Sequence, residues 1–144
     1  MDFEKVIKGE LCPYCNCITE LVLDKQIYGP NSSYQKMFYR CIMNHDHYVG
    51  TYKDNERSFG RVADSALRLM KRKAHDAFDP LWRDEPKRFS HKYKAYQWLS
   101  EKMGIDLKHT HIGMFTEEQC EKVIEFSIIE KNIQIILIQG RKGE

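Results

Sequence analysis

Cys12-Pro13-Tyr14-Cys15, followed 26 positions after Cys15 by Cys41 and then by His45, constrains the fold of this chain more than any other feature. Two thiols with two residues between them form a knuckle that grips a zinc ion from one side. Cys41 and a nearby imidazole can close the tetrahedron from the other. A second Cys-x-x-Cys would place a cysteine at position 44, where this chain has Asn44. His45 is therefore the expected fourth ligand, with His47 as its rival and Cys17 as a spare thiol. The expected site is Cys12, Cys15, Cys41 and His45 around a structural Zn2+, because four protein ligands leave no position for an activated water.

Bulk properties agree with a metal reading. Three of the five cysteines fall between positions 12 and 17, too close to pair with one another. In an intracellular chain that pattern reads as metal binding rather than a disulfide frame. The start, Met1-Asp2-Phe3-Glu4-Lys5, has neither a basic n-region nor an apolar h-region. No apolar run reaches the length of about 18 residues that a membrane span needs. The expectation is a cytoplasmic protein. At 144 residues, it is long enough for one small module and one modest core.

The period of the pattern changes along the chain. Residues 18–23, 37–41 and 48–52 are rich in β-branched and aromatic side chains and read as strands, with Gly29-Pro30-Asn31-Ser32-Ser33 as a turn between the first two. From position 61, Ala63, Ala66, Leu67, Met70, Ala74, Ala77 and Phe78 share one helical face, and Pro80 ends that helix. A second helix begins near Pro86 or Ser90 and runs to Met103, with Gly104 as its C-terminal cap. A third starts at the capping box Thr116-Glu117-Glu118-Gln119. The β-branched run at 133–138 reads as a terminal strand. The fold class is thus α+β: a zinc ribbon over residues 1–55 packed on a helical region over 56–144 with a terminal strand, together one compact unit.

The chain resembles a bacterial and phage family described as a zinc-finger-containing domain of unknown function. The resemblance rests on Cys12-Pro-Tyr-Cys15, Ile27-Tyr-Gly29, Tyr48-Val-Gly50, Gly60-Arg-Val-Ala-Asp64, the stretch from Ala74 to Trp82, Ala95-Tyr-Gln-Trp-Leu99 and His111-Ile-Gly-Met-Phe115. The family pattern carries a second Cys-x-x-Cys before the Tyr-Val-Gly. One extra residue here brings His45 opposite the missing cysteine, as a Cys3His site requires. The resemblance implies a fold and a metal, not an activity.

Charge suggests a partner. The net charge is +2, yet residues 53–94 carry 12 Lys and Arg against 7 Asp and Glu. Arg61, Arg68, Lys71 and Arg72, continued by Lys87, Arg88, Lys92 and Lys94, form a basic stripe suited to successive phosphates. Tyr14, Tyr28 and Tyr34 near the ribbon are candidates for stacking on unpaired bases. The expected function is a non-enzymatic, zinc-dependent nucleic-acid-binding module. The alternative is a protein-interaction factor, such as a phage-type regulator or inhibitor of a host protein, with residues 133–138 pairing with a partner or a second copy. A third reading is a small enzyme centred on His75 and Asp79, which lie four residues apart at a helix end. His109 and His111 form a further candidate half-site for a metal.

Overall fold

The computed structural model describes residues 1–142. The chain divides into two compact units, one ending at Arg68 and one starting at Leu69.

The first unit is built on a four-stranded antiparallel sheet in chain order: β1 (Leu11–Cys12), β2 (Cys17–Leu23), β3 (Met37–Cys41) and β4 (Tyr48–Gly50). Two short helices accompany it, α1 (Phe3–Ile7) and α2 (Asp24–Tyr28). Register is fixed by pairs such as Cys12 with Cys17, Glu20 with Arg40 and Tyr39 with Val49. Glu20 and Arg40, directly opposite, form an ion pair of 2.8 Å, and Arg40 also donates to the Gln26 carbonyl. Opposite charges across a strand pair favour one register over its neighbours. Asp24 is buried and tightens the loop after α2 by accepting from the Tyr34 and Lys36 amides and the Ser32 hydroxyl. Beyond β4 the chain doubles back, with Tyr48 and Ala63 exchanging both backbone hydrogen bonds.

The core of this unit contains Cys12, Cys41, Val49 and Val62, flanked by Cys15, Cys17 and Tyr39. Val6, Ile7, Val22, Phe38 and Leu67 are also buried in this unit, but the cluster around the thiols buries only two valines beside the cysteines and so little apolar surface of its own. Modules of this size commonly need a staple.

The second unit is helical. The helix α3 (Ser65–Phe78) enters it, followed by α4 (Pro80–Arg83), α5 (Lys92–Met103), two 3-10 turns and α6 (Glu117–Lys142). Gly104 ends α5 in the left-handed region at φ 67°, and Gly104 and Ile105 return hydrogen bonds to the Ser100 carbonyl. The expected capping box is present: the Gln119 amide donates to the Thr116 hydroxyl, and the Thr116 amide donates to the Gln119 side chain. Phe78, Leu81, Leu99, Ile112, Phe115 and Val123 are among its most buried residues. Arg88 pairs with Glu130 at 2.6 Å, and Gln134 donates to the Pro86 carbonyl. These contacts hold the middle of α6 to the segment before α5.

Residues 133–138 are helical, so the terminal strand expected there is absent. β-branched residues disfavour a helix by only a fraction of a kcal/mol each. A capped helix already nucleated at Glu117 extends through them one hydrogen bond at a time. Among the described residues, no helix is long and apolar enough to cross a membrane.

Candidate metal centre

Two reversals of the chain deliver the thiols. β1 ends at Cys12, and the Asn16 amide donates to the Cys12 carbonyl to close the first turn. Asn16 stands at φ 52°, a left-handed conformation that asparagine tolerates. That turn carries Cys15 back over Cys12 before Cys17 starts β2. β3 ends at Cys41, whose sulfur accepts from the Met43 and Asn44 amides at 3.3 Å each. Amides pointed at a sulfur stabilise it as a thiolate.

The fourth vertex is His47. Its Nδ1 lies 3.6 Å from the Cys12 sulfur and 3.6 Å from the Cys15 sulfur. The donor atoms of Cys12, Cys15, Cys41 and His47 all lie within 4.8 Å of one another. With Zn–S near 2.3 Å and Zn–N near 2.0–2.1 Å, the sulfur-to-nitrogen edge of a tetrahedron is about 3.6 Å. The donor set and the two measured edges therefore fit structural Zn2+. The other three expected ligands converge, but His45 does not join them. His45 sits at the exposed tip of the turn. The Cys41 amide donates to the His47 carbonyl, so the backbone itself sets His47 beside the second thiol knuckle.

Cys17 stands just outside this set, its sulfur 3.2 Å from that of Cys41. The thiols titrate as a group. Desolvation raises Cys12, and desolvation together with the neighbouring Cys41 and Cys12 sulfurs pushes Cys15 up to about 12. Cys17 is raised as well, first by desolvation and then by Cys41. At Cys41 burial pulls upward, but the hydrogen bonds from Cys17, Asn44 and Met43 prevail and lower it. Zinc has to displace protons from the raised thiols before it can bind them.

Sequence reasoning missed the residues that hold His47 in place. The Tyr14 ring packs against the His47 imidazole at 4.6 Å between centroids, and its hydroxyl accepts from the Asp64 amide. Arg68 donates to the Asp46 carbonyl at 2.6 Å, to the Asp46 carboxylate at 2.8 Å and to the Ala63 carbonyl at 2.7 Å. Its guanidinium also covers the Tyr48 ring at 3.9 Å. Arg68, expected in the basic stripe, thus braces the turn that carries His47. The only sequence signal was position: His47 abuts the Tyr48-Val49-Gly50 strand, whereas His45 has no strand to fix it.

The remaining candidates fall as follows. Arg61 lies in the first unit with Arg68, and Lys71, Arg72, Lys87, Arg88, Lys92 and Lys94 lie in the second. Arg88 is paired with Glu130, and the Lys92 ammonium lies over the Trp82 ring. Arg72, Lys87 and Lys94 are exposed. His75 Nδ1 is 3.1 Å from the Asp79 carboxylate, which also accepts from the Trp82 indole, so Asp79 fastens the end of α3 to α4. The His111 ring packs beside Tyr96.

Residues 8–130 match the model of a family described as a zinc-finger-containing domain. The chain belongs to that family, whose function is unknown. No curated protein and no solved structure matches it.

Proposed function

We propose that this zinc-finger-containing chain is a non-enzymatic module that binds single-stranded nucleic acid, with zinc holding the binding surface in shape. One observation carries the reading. Tyr28, Tyr34 and Phe38, with Asn31, Ser32, Ser33 and Lys36, line an open concavity of about 650 Å3 in the first unit. Tyr28 and Tyr34 are 56% and 72% exposed and meet edge to face at 5.9 Å, and Tyr28 meets Phe38 at 5.6 Å. Exposed aromatic rings in a concavity suit the faces of unpaired bases, which stack on them whatever their sequence. Lys36 adds a cation at the rim while donating one hydrogen bond to the Thr51 carbonyl. In the second unit Arg72, Lys87, Arg88, Lys92 and Lys94 are the exposed members of the basic stripe suited to phosphates, Arg88 and Lys92 being engaged with Glu130 and Trp82.

The test is fluorescence anisotropy of the zinc-loaded protein with labelled oligo-dT, oligo-U and a duplex. Single strands are expected to bind more tightly than the duplex, with affinity falling steeply in salt. Tyr28→Ala and Tyr34→Ala are each expected to weaken binding about 5- to 100-fold, the worth of one stacked base. Charge reversal at Arg72 or Lys94 should lower the salt slope by about one. Undetectable binding of all three probes at low salt overturns the proposal.

A further inference from the structure

The helix α6 has two halves of opposite character. From Glu117 to Glu125 its exposed positions are charged: Glu117, Glu118, Glu121, Lys122 and Glu125. From Ile128 on the pattern inverts. The buried positions are Ser127, Glu130 and Gln134, while Ile128, Ile129, Ile133, Ile135, Ile136 and Leu137 face outward at 42–65% exposure. Between Ile128 and Gln139 the two charges are both engaged, Glu130 with Arg88 and Lys131 with the Gln134 side chain, and the exposed Arg141 follows the end of this stretch. Over about three turns the outer face carries only these six apolar side chains and the amides of Asn132 and Gln139. A soluble helix ordinarily shows the reverse arrangement.

We infer that this face is a homodimer interface, in which the outer side of α6 packs on the same helix of a second copy. Three features choose a second copy over other occupants. First, the six outward side chains carry no charge of their own, so two-fold pairing along them brings no like charges together at the seam, although Lys87, Arg88 and Arg141 share a groove with Ile133 and Leu137 at its flank. Second, Ile129, Ile133, Ile136 and Gly140 follow the alternating four- and three-residue spacing of a helix–helix seam. At Gly140 no atom lies within 4 Å of where a Cβ would stand, which leaves the end of that seam flat and open to close approach. Third, six side chains about half exposed offer on the order of 500 Å2 per copy and on the order of 1,000 Å2 per pair, the threshold for a specific interface. A membrane surface is the poorer fit, because lipid-facing helices carry Lys and Arg along the polar side. Here the side opposite the apolar face is buried at Ser127, Glu130 and Gln134, and the one lysine between residues 128 and 139, Lys131, is engaged with Gln134.

Sedimentation equilibrium on the full zinc-loaded chain, from micromolar to hundred-micromolar, is the test. The wild type is expected to reach twice the 17.1 kDa chain mass and to dissociate on dilution. Ile133→Glu with Ile136→Glu is expected to weaken the dimer by at least about 100-fold, since pairing would bury unpartnered charge. Zinc content and helical circular dichroism should stay at wild-type levels. If that variant fails to fold, Ile129→Gln with Ile136→Gln keeps the helix and removes half the seam. Hydrogen exchange on the wild type gives an independent readout: amides 128–137 should gain protection with concentration. A wild type at 17.1 kDa throughout, or a dimer that survives both folded variants, overturns the inference. So does a monomer that binds anionic vesicles, or another protein, through this face.

Discussion

At the centre of the first unit lie Cys12, Cys41, Val49 and Val62; the second unit buries Phe78, Leu81, Leu99, Ile112, Phe115 and Val123. The second set is large, apolar and sufficient to hold helices by burial alone, at roughly 1.5–3 kcal/mol per fully buried large side chain. The first set is small, and its thiols repel further ionisation by one another. Its strands are short: β1 has two residues and β4 three. What burial does not supply there, coordination is expected to supply. The first unit should then depend on an ion for its fold and the second should not, so the two should respond differently to the same perturbation.

Metal removal should separate them most. Structural zinc contributes about 10–16 kcal/mol in isolated fingers, far more than a small β-sheet retains without it. Chelation at neutral pH, or Cys12→Ser with Cys41→Ser, is expected to abolish amide protection across residues 11–50. Protection in α5 and in α6 up to Gln134 should persist. Acid should mimic the chelator. Cys12 and Cys15, both raised, hold protons that zinc must displace. At least two protons released per ion make apparent affinity fall at least about a hundredfold for each pH unit of acidification. Loss of protection in both units together would break the comparison.

The converse experiment is smaller. Phe115→Ala empties a fully buried site in the second unit and should lower its stability by about 3–5 kcal/mol. Hydrogen exchange should register the loss in α5 and α6, while the ratio of zinc to protein stays at one. A fall in zinc content would mean that the metal centre draws on the helical core.

Within the first unit, the ligand set sharpens the argument. His47→Ala should weaken zinc by more than about 100-fold, the upper end for losing a mere outer-shell partner. His45→Ala should change nothing measurable, because His45 is exposed in the turn and does not belong to the converging donor set. Cys17→Ser should fall between them, at about tenfold, as the weakening of a hydrogen bond to Cys41 rather than the loss of a ligand. Competition with a chromogenic chelator reads all three.

These differences follow from where information sits in the chain. Strands at 17–23 and 37–41, the Gly104 cap and the Thr116 box were legible because each is a local pattern. The three cysteines were legible because knuckle spacing is local too. The fourth ligand was not. Choosing between two histidines two residues apart needs the Cys41-to-His47 backbone pairing and the Arg68 brace, the latter reaching Asp46 from 22 residues away. Residues 133–138 misled for a related reason. Their β-branched composition is a weak local preference, and a helix initiated 16 residues earlier at Glu117 overrides it.

The smallest effect tests that last point directly. If α6 is committed from its N-terminus, removing the Thr116 hydroxyl should be felt beyond the first turn. Thr116→Ala leaves the Gln119 amide without its acceptor, and the expected loss is about 1 kcal/mol. By cooperativity the consequence should be graded, greatest at 117–121 and declining toward the segment that Arg88 and the Pro86 carbonyl secure through Glu130 and Gln134. Native-state exchange resolves that gradient. Thr116→Ser, which keeps the hydroxyl, should restore protection. Uniform loss along all of α6 would instead mean that the helix stands or falls with its tertiary anchors, and that the box at Thr116 marks where it begins without deciding that it forms.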